Sequence, residues 1–505
     1  MFLNFLRVNI IVMKAILAID QGTTSTRSII FDENSNVLGA SQIEHRQIFP
    51  KEAWVEHDPL EIKQNVFKTM KEAVANAGIS WDQIHGIGIT NQRETVVAWN
   101  PENGIPYHNA IVWQCRRSAD IVDALKPDYK ELFHRKTGLI LDAYFSGTKI
   151  KWMTENNEKI KDAVINRKII FGTIDSWVIY NLTGELKTDV SNASRTLLMD
   201  LTTNDWSEDL ADILGVPVDT LPEIIPSGLG EGFGEFKIQG TSIPVNGVAG
   251  DQQAALFGQG SYYAGENKCT YGTGNFALLN TGNDIKYSSN GLLTTVAWKL
   301  GNEPTKYALE GSVFITGAAV QWLRDGLKII SSSSEVEDLA SKVDNNGGII
   351  IVPAFAGLGA PYWDQKARGI IIGITRGTTD AHIARAVLES IAHQTTDLYE
   401  VMRQDAGLSF DNIKVDGGAT KNKLLLQIQA DLVDATIIRP KNIETTALGA
   451  AFLSGLSSGV WSNLNELKDL NPPEMTFWPK IDEEERIKQR NKWKKAVKRS
   501  MGWED

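Results

Sequence analysis

Cysteine and histidine are both scarce in this chain of 505 residues. The two cysteines, Cys115 and Cys269, lie far apart in sequence, so a disulfide framework is not expected and a reducing cytoplasm is the natural location. The seven histidines show no HExxH spacing, which argues against a zinc hydrolase. No stretch has the roughly 20 apolar residues that a transmembrane helix needs, so an integral membrane protein is not expected.

Positive charge is in deficit, with 51 Lys and Arg against 62 Asp and Glu and a formal net charge of −11. The chain therefore lacks the electrostatic footprint of a nucleic-acid-binding protein, and no nucleic-acid partner is expected. An acidic surface also disfavours adsorption to anionic membranes. The hydrophobic fraction of 42% and the charged fraction of 22% are typical of a globular protein. At about 100–200 residues per domain, two or more domains are expected.

The N-terminal residues 1–13 form a short apolar segment, MFLNFLRVNIIVM. The segment is too short to span a bilayer and lacks a small-residue cleavage site. We interpret it as an N-terminal extension, with Met13 as an alternative start. A signal peptide is the competing interpretation.

Two similar hairpins are predicted, one near the start of the chain and one near its middle. Apolar runs at residues 15–19 and 28–32 flank a turn rich in Gly, Thr and Ser, which is typical of a β-hairpin. Residues 267–280 repeat this order of strand, Gly/Thr turn and strand. The repetition favours two related halves, and chance recurrence of a turn motif is the alternative. We place the two domains at residues 14–256 and 257–505.

Further predicted strands end in polar residues. Buried strands are expected at residues 84–90 and 245–249, and each leads directly into polar side chains. Apolar residues with helical spacing predict helices at residues 59–76, 423–432 and 446–455. Functional groups just beyond strand ends and before helices are typical of α/β proteins, so we predict an α/β fold.

The turn of the first hairpin has the chemistry of a phosphate-binding loop. Glycine and small residues let backbone N–H groups approach a phosphate, and hydroxyl and guanidinium groups add further donors. The aspartate at the strand end is a candidate ligand for Mg²⁺, directly or through water. The segment has no Walker A motif, and an ordinary polar turn is the alternative. The candidates are Asp20 for the metal and Thr23, Thr24, Ser25 and Arg27 for the phosphates.

Two more glycine-containing turns are candidates for nucleotide binding. Gly272, Thr273 and Gly274 form the turn of the second hairpin, which would contact the β- and γ-phosphates from the other side. Gly417 and Gly418 follow a predicted strand and precede a helix, so the backbone can approach an adenosine phosphate or ribose. Each signal is weak alone, and a plain turn with a glycine hinge is the alternative.

Polar residues at two other strand ends indicate a subsite for a hydroxylated acceptor. Arg93 can donate hydrogen bonds to neighbouring hydroxyls of one small substrate, and Glu94 can accept them. Asp251 lies between a glycine and an amide and is a candidate general base, which typically contributes about 10²–10⁴-fold to the rate. The alternatives are a surface ion pair for Arg93 and Glu94, and an Asx turn or helix cap for Asp251.

In this order, the segments resemble the FGGY family of carbohydrate kinases over essentially the whole chain from Lys14. Residues 144–152 (YFSGTKIKW) resemble the first signature of the family, and residues 369–389 resemble the second. Within the family the resemblance is to the glycerol kinases. It rests on residues 88–95 (GITNQRET), 112–117 (VWQCRR) and 250–255 (GDQQAA).

The resemblance implies a fold, a reaction and a set of site residues. The fold is two ribonuclease-H-like, actin-like ATPase domains with the active site in the cleft between them. The reaction is the ATP-dependent phosphorylation of glycerol to sn-glycerol 3-phosphate, with Mg²⁺ and with Asp251 as general base. The residues implied to bind glycerol are Arg93, Glu94, Trp113, Tyr144, Asp251, Gln252 and Phe276. Those implied for the nucleotide are Thr23, Thr24, Ser25, Arg27, Thr273, Gly317, Gln321, Gly418 and Asn422, with Asp20 for Mg²⁺.

Two departures from the family bear on regulation. Ser242 stands where some bacterial relatives have the arginine of a loop that binds a sugar bisphosphate inhibitor. Residues 229–237 lack the histidine that is phosphorylated in other relatives. Neither form of control is therefore expected. The resemblance also implies a homo-oligomer, either a dimer or a tetramer.

Two alternative functions remain open. The first is another FGGY kinase, for a pentulose or a sugar acid, although residues 91–94 and Trp113 favour glycerol. The second, from a different class, is an actin-like or heat-shock-type ATPase. Chaperones of that kind need a peptide-binding domain after the ATPase core, and the segment after Asn422 is short for one.

Overall fold

The computed structural model describes residues 14–355 and 357–504. The predicted N-terminal extension at residues 1–13 lies outside the described residues. Within them, no helix is long and apolar enough to cross a membrane. Two large β-sheets, one from each half of the chain, organise the fold, and helices pack against both.

The elements of the first half are numbered in chain order. Its strands are β1 (Ala15–Gln21), β2 (Ser25–Asp32), β3 (Val37–Glu44), β4 (Glu56–His57), β5 (Ile84–Asn91), β6 (Val96–Trp99), β7 (Ala110–Ile111), β8 (Ile170–Thr173), β9 (Lys187–Asp189), β10 (Met199–Asp200), β11 (Asp205–Trp206), β12 (Glu223–Ile225), β13 (Glu235–Ile238) and β14 (Thr241–Gly250). Its helices are α1 (Pro59–Ala77), α2 (Ala119–Thr137), α3 (Ser146–Asn156), α4 (Glu158–Ile165), α5 (Ile174–Thr183), α6 (Val190–Ala193), α7 (Glu208–Leu214) and α8 (Asp251–Gly258).

The second half continues the same numbering. Its strands are β15 (Asn267–Tyr271), β16 (Asn275–Gly282), β17 (Leu293–Trp298), β18 (Lys306–Val313), β19 (Ile350–Val352), β20 (Ile370–Ile372), β21 (Asn412–Asp416), β22 (Thr436–Pro440) and β23 (Pro473–Phe477). Its helices are α9 (Gly317–Asp325), α10 (Glu335–Ala340), α11 (Asp380–Ala406), α12 (Lys423–Val433), α13 (Thr445–Ser457), α14 (Leu464–Lys468) and α15 (Glu483–Ser500).

The sheet of the first half has the order β13-β14-β5-β1-β2-β3. β1 and β2 form the predicted antiparallel hairpin, whereas β1, β5 and β14 run parallel to one another. Their carboxyl ends meet at one edge, where Gln21 pairs with Asn91 and Asn91 pairs with Gly250. The phosphate turn, the Arg93 segment and Asp251 therefore begin side by side at this edge.

The sheet of the second half has the order β17-β18-β16-β15-β21-β22-β23 and repeats this arrangement. β15 and β16 form the second predicted hairpin, and β15 has a parallel neighbour, β21. The loop after β21 lies against the end of β15: Gly417 has a φ of +89°, and a Cβ there would lie 2.5 Å from the carbonyl oxygen of Tyr271. Only glycine meets both conditions without strain. The repeated sequence pattern therefore corresponds to a repeated topology.

Helices α8 and α13 cross at a contact that depends on glycine. A Cβ on Gly449 would lie 1.8 Å from the carbonyl oxygen of Ala254, and one on Gly258 would lie 2.1 Å from that of Thr445. α13 also packs against β1, β5 and β14, although it belongs to the second half in sequence. The division into domains at residues 14–256 and 257–505 stays a prediction. In the structure, α13 of the second half packs on the sheet of the first half.

Candidate active site

The phosphate turn between β1 and β2 is supported by three polar side chains, of which Gln92 and His57 are buried and Gln47 is half-buried. The amide of Gln92 donates to the carbonyl oxygen of Gly22 (3.0 Å), and the amide of Gln47 donates to that of Thr23 (3.0 Å). The ring of His57 contacts both amides, at 3.3 Å from Gln92 and 2.9 Å from Gln47. Burial lowers the pKa of His57 to about 3, so the ring is neutral near pH 7. The backbone carbonyl groups of the turn are therefore fixed by hydrogen bonds from uncharged side chains.

The side chains of the same turn differ in their surroundings. Thr24 is exposed, and the hydroxyl of Ser25 accepts a hydrogen bond from Gln42 (3.1 Å). Arg27 forms an ion pair with Glu444, at 2.5 Å, and both side chains are partly exposed. Because Glu444 lies directly before α13 in the second half, the ion pair with Arg27 joins the two halves here.

Asp20, near the end of β1, is the candidate ligand for Mg²⁺. Burial raises its pKa to about 7, and the charges of Asp251 and Glu444 act in the same direction, against Arg27. A divalent cation would stabilise the charged form of this buried carboxylate, which is otherwise disfavoured by burial and by the charge of Asp251. Among the described residues, no group of three or more His, Cys, Asp or Glu could hold a metal by itself. This donor set fits Mg²⁺, which usually takes one or two carboxylates together with substrate phosphates.

The predicted acceptor residues Arg93, Glu94 and Asp251 meet after β5 and β14. Nε of Arg93 lies 3.1 Å from Oδ1 of Asp251, the first residue of α8. Oδ1 also accepts the backbone N–H of Gln252 (2.7 Å). Arg93 and Glu94 are buried, whereas the side chain of Asp251 is 32% exposed. Asp251 is therefore the most exposed member of this group.

Arg195 and Glu310 complete the group and were not predicted from the sequence. Glu310, in β18, accepts hydrogen bonds from Nη1 and Nη2 of Arg93 (3.0 Å for Nη2) and from Nη2 of Arg195 (3.0 Å). Arg195 also donates from Nε to Glu94 (2.7 Å). Burial would raise the pKa of Glu310, but the two guanidinium groups outweigh it and hold the pKa at about 2. We call Glu94, Arg195, Glu310, Arg93 and Asp251 the charge network.

The indole of Trp113 connects Tyr144, a predicted acceptor residue, with the phosphate turn. Its Nε1–H donates to the hydroxyl of Thr23 (3.0 Å), and its ring meets that of Tyr144 edge to face, with 5.5 Å between centroids. Burial raises the pKa of Tyr144, and the negative charge of Glu94 adds to this, so the phenol is a neutral donor. The two predicted aromatic residues therefore lie together, beside the charge network.

Gln252 and Phe276 are joined by Lys268, which belongs to no recognisable sequence motif. The buried Nζ of Lys268 donates to the side-chain oxygen of Gln252, to the hydroxyl of Thr270 (2.9 Å) and to the carbonyl oxygen of Phe276 (3.3 Å). Burial lowers the pKa of Lys268, although the charge of Asp416 opposes this. Because its oxygen is engaged, Gln252 keeps its NH₂ group for a substrate hydroxyl.

The turn of the second hairpin is tied to the start of α9. The carbonyl oxygen of Thr273 accepts the N–H of Thr316 (2.9 Å), and that of Gly272 accepts the N–H of Gly317 (3.1 Å). A Cβ on Gly317 would lie 2.6 Å from the carbonyl oxygen of Gly272, so this approach needs glycine. Thr273 and Gly317 are thus brought together, whereas Gln321 is exposed one helical turn further on.

The remaining nucleotide candidates follow β21. Gly418 is exposed, and the side chain of Asn422 accepts the N–H of Leu425 (2.8 Å), which caps the start of α12. Asn422 therefore has a structural function whether or not it binds a nucleotide. That these residues and the phosphate turn bind one ATP molecule stays a prediction.

Family models cover most of the chain. The model of the FGGY family of carbohydrate kinases, N-terminal domain, matches residues 15–258, and the model of the C-terminal domain matches residues 267–458. The chain belongs to the FGGY family of carbohydrate kinases. This confirms the resemblance that the motifs indicated and the two-domain α/β fold that it implied.

Glycerol kinases resemble this FGGY kinase over nearly its full length. Glycerol kinase 2 of Thermotoga maritima is 52% identical over 97% of the chain and 100% of its own length. The glycerol kinase of Thermococcus onnurineus is 54% identical over 97% of the chain and 98% of its own. The crystal structure of Plasmodium falciparum glycerol kinase with ADP matches at a TM-score of 0.91 and 40% identity, covering 97% of this chain and 98% of that one.

Proposed function

We propose that this FGGY kinase transfers the γ-phosphoryl group of ATP to a terminal hydroxyl of glycerol, giving sn-glycerol 3-phosphate and ADP. The position of Asp251 carries this proposal. It contacts Arg93 of the acceptor segment, and its charge acts on Asp20 at the end of the phosphate strand. A carboxylate between the two subsites is suited to take the proton of a hydroxyl that attacks the γ-phosphate. Full-length relatives named glycerol kinases support glycerol as the acceptor.

The residues of the site have distinct tasks in this reaction. Both polar contacts of the Asp251 side chain within the described residues use Oδ1, so we assign proton transfer to Oδ2. Glu94, Tyr144 and the NH₂ group of Gln252 orient the hydroxyls of the acceptor, while Trp113 and Phe276 pack against its carbon atoms. As the terminal oxygen bonds to the γ-phosphorus, its proton passes to Asp251 and the bond to the bridging oxygen of ADP breaks.

The nucleotide side mainly neutralises and orients phosphate. The donors are the turn with Thr23, Thr24 and Ser25, together with Arg27, and the turn with Thr273 contacts the phosphates from the second half. Mg²⁺ held by Asp20, directly or through water, would stabilise the charge on the phosphates. Placing the acceptor between two halves excludes water and so limits hydrolysis of ATP. We further propose a cytoplasmic homo-oligomer, a dimer or a tetramer, with domains at residues 14–256 and 257–505.

The test is production of ADP from Mg-ATP with glycerol, dihydroxyacetone, xylulose, ribulose or gluconate, and with no acceptor. We expect the highest kcat/KM with glycerol and a product phosphorylated at a terminal carbon. Preference for a ketopentose or gluconate would keep the fold and Asp251 as base but contradict glycerol as the acceptor. Hydrolysis of ATP that is independent of every acceptor would favour an actin-like ATPase instead.

A further inference from the structure

Glu310 is the member of the charge network that comes from the other sheet. It lies in β18 of the second-half sheet, whereas Arg93 and Asp251 follow strands of the first-half sheet. The side chains of Arg93 and Glu310 are each only 2% exposed. The two halves therefore meet through a buried ion pair directly beside the candidate base.

This pair fixes the orientation of the Arg93 guanidinium. Glu310 accepts hydrogen bonds from both Nη atoms of Arg93, and Nη1 donates in addition to the side-chain oxygen of Gln253 (3.2 Å). A guanidinium group is planar and rigid, so fixing both Nη atoms also fixes the direction of Nε. Because Nε lies 3.1 Å from Oδ1 of Asp251, the position of Glu310 determines how Arg93 meets the carboxylate of the base.

The charges at this position are not explained by stability alone. Ions are costly to remove from water, and apolar residues of similar volume are often neutral or stabilising in place of a buried ion pair. The charge network nevertheless alternates in sign from Glu94 through Arg195, Glu310 and Arg93 to Asp251. At one end of the network Glu94 is buried. At the other end Asp251, the proposed base, is partly exposed.

We propose that Glu310 is a positioning residue for phosphoryl transfer: it reaches from the second half of the molecule to Arg93 and thereby aligns Asp251. This inference rests on the proposed function. It makes the alignment of the base depend on correct contact between the two halves, and it gives Arg93 a second task besides binding the acceptor.

The test is the steady-state kinetics of the full-length Glu310→Gln variant with glycerol and Mg-ATP. We expect kcat to fall about 10- to 100-fold, because a small misplacement of a catalytic group has effects of this size, with the KM for glycerol changed less than about threefold. Glu389→Gln is the matched control. Glu389 is also a buried glutamate paired with an arginine, Arg385 (2.9 Å), and it lies in α11, outside the charge network. This control should change kcat and KM by less than about twofold.

A second comparison shows whether Glu310 acts through Asp251. In an Asp251→Asn background, Glu310→Gln should lower the residual kcat by less than about twofold, since the base is already lost. Independent, fully additive effects would overturn the proposal, as would a raised KM for glycerol with unchanged kcat. If Glu310→Gln does not fold, Glu310→Asp keeps the charge and withdraws it by one methylene, and the same split between kcat and KM is expected.

The same data separate this inference from the proposed function. Absence of glycerol turnover in the wild type would contradict glycerol as the acceptor. The ratio of variant to wild-type kcat, measured with whichever acceptor the wild type phosphorylates, decides the role of Glu310.

Discussion

At Asp251, one carboxylate oxygen is engaged by Arg93 and by the N–H of Gln252. Asp251→Asn keeps the size of the side chain and removes the proton acceptor. We expect kcat to fall by about 10²–10⁴-fold, with glycerol and ATP still bound, because the other contacts of the site remain. Turnover assays and calorimetric titration of each substrate check this. A variant with more than about a tenth of the wild-type kcat would exclude Asp251 as the base.

Trp113 links the two proposed substrate subsites through one hydrogen bond to Thr23. Trp113→Phe retains an aromatic ring but loses this donor, so the hydroxyl of Thr23 is no longer oriented by the indole. We expect kcat/KM for ATP to fall about 2- to 12-fold, as for the loss of one hydrogen bond, with a smaller change in KM for glycerol. The control is the same substitution in a Thr23→Val background, where its effect on ATP should disappear. A change confined to glycerol would show that the indole acts only on the acceptor.

Residues at strand ends could be predicted from the sequence, and their distant partners could not. The chemistry of a turn is local, so Asp20, Arg93 and Asp251 are recognisable from their immediate neighbours. Glu310 lies 217 residues from Arg93 and 115 from Arg195, and no motif surrounds it. The available signal was a charged side chain directly after the apolar residues 307–309 of β18, and a buried charge requires a partner that the sequence does not identify.

Elements were predicted best where their neighbours in space are also neighbours in sequence. Both hairpins are confirmed, because a turn rich in glycine and hydroxyl residues determines the pairing of the strands beside it. The helix predicted at residues 446–455 is also present, as α13. Its place on the sheet of the first half could not be predicted, because it depends on glycines that are far apart. A Cβ on Gly88 in β5, for example, would lie 2.1 Å from the carbonyl oxygen of Ala450.

The crossing of α8 and α13 gives a prediction at the scale of elements. In Gly449→Ala the new Cβ would lie 1.8 Å from the backbone of Ala254, so the two helices must separate. We expect a loss of about 1–3 kcal/mol in the free energy of unfolding, typical of overpacking, and a reduced kcat because α8 begins with Asp251. Denaturant unfolding and kinetics measure both effects.

The matched control for this crossing is Gly377→Ala. The atom nearest to a Cβ at Gly377 is the Thr375 hydroxyl, 3.9 Å away, so this variant should behave as the wild type. Equal stability of the two variants would mean that the helix crossing tolerates a side chain.

At the scale of the whole molecule, α15 joins the C-terminal part of the chain to α11. Arg490 and the indole N–H of Trp493 (2.8 Å) both donate to Asp397 of α11. Of the apolar residues in and directly after this helix, Trp493 and Val497 are buried, but Ile487 and Met501 are 50% and 38% exposed. The buried face of α15 therefore carries Arg490, which pairs with Asp397, together with Trp493 and Val497.

Arg490→Met tests how much the ion pair between α15 and α11 contributes to stability. It leaves Asp397 buried with only neutral donors, which typically costs about 3–5 kcal/mol in the free energy of unfolding. Burial already raises the pKa of Asp397, and Arg490 opposes this, so the variant should raise that pKa further. Asp397 then binds a proton in the folded variant at pH values at which it stays charged in the unfolded chain. The loss in free energy of unfolding relative to the wild type should therefore shrink as the pH falls, by up to about 1.4 kcal/mol per pH unit. Both effects are checked by measuring unfolding at several pH values. The control is the double variant Arg490→Met/Asp397→Asn, which should restore part of the lost stability. A loss of stability that does not depend on pH would mean that Asp397 stays charged without its partner.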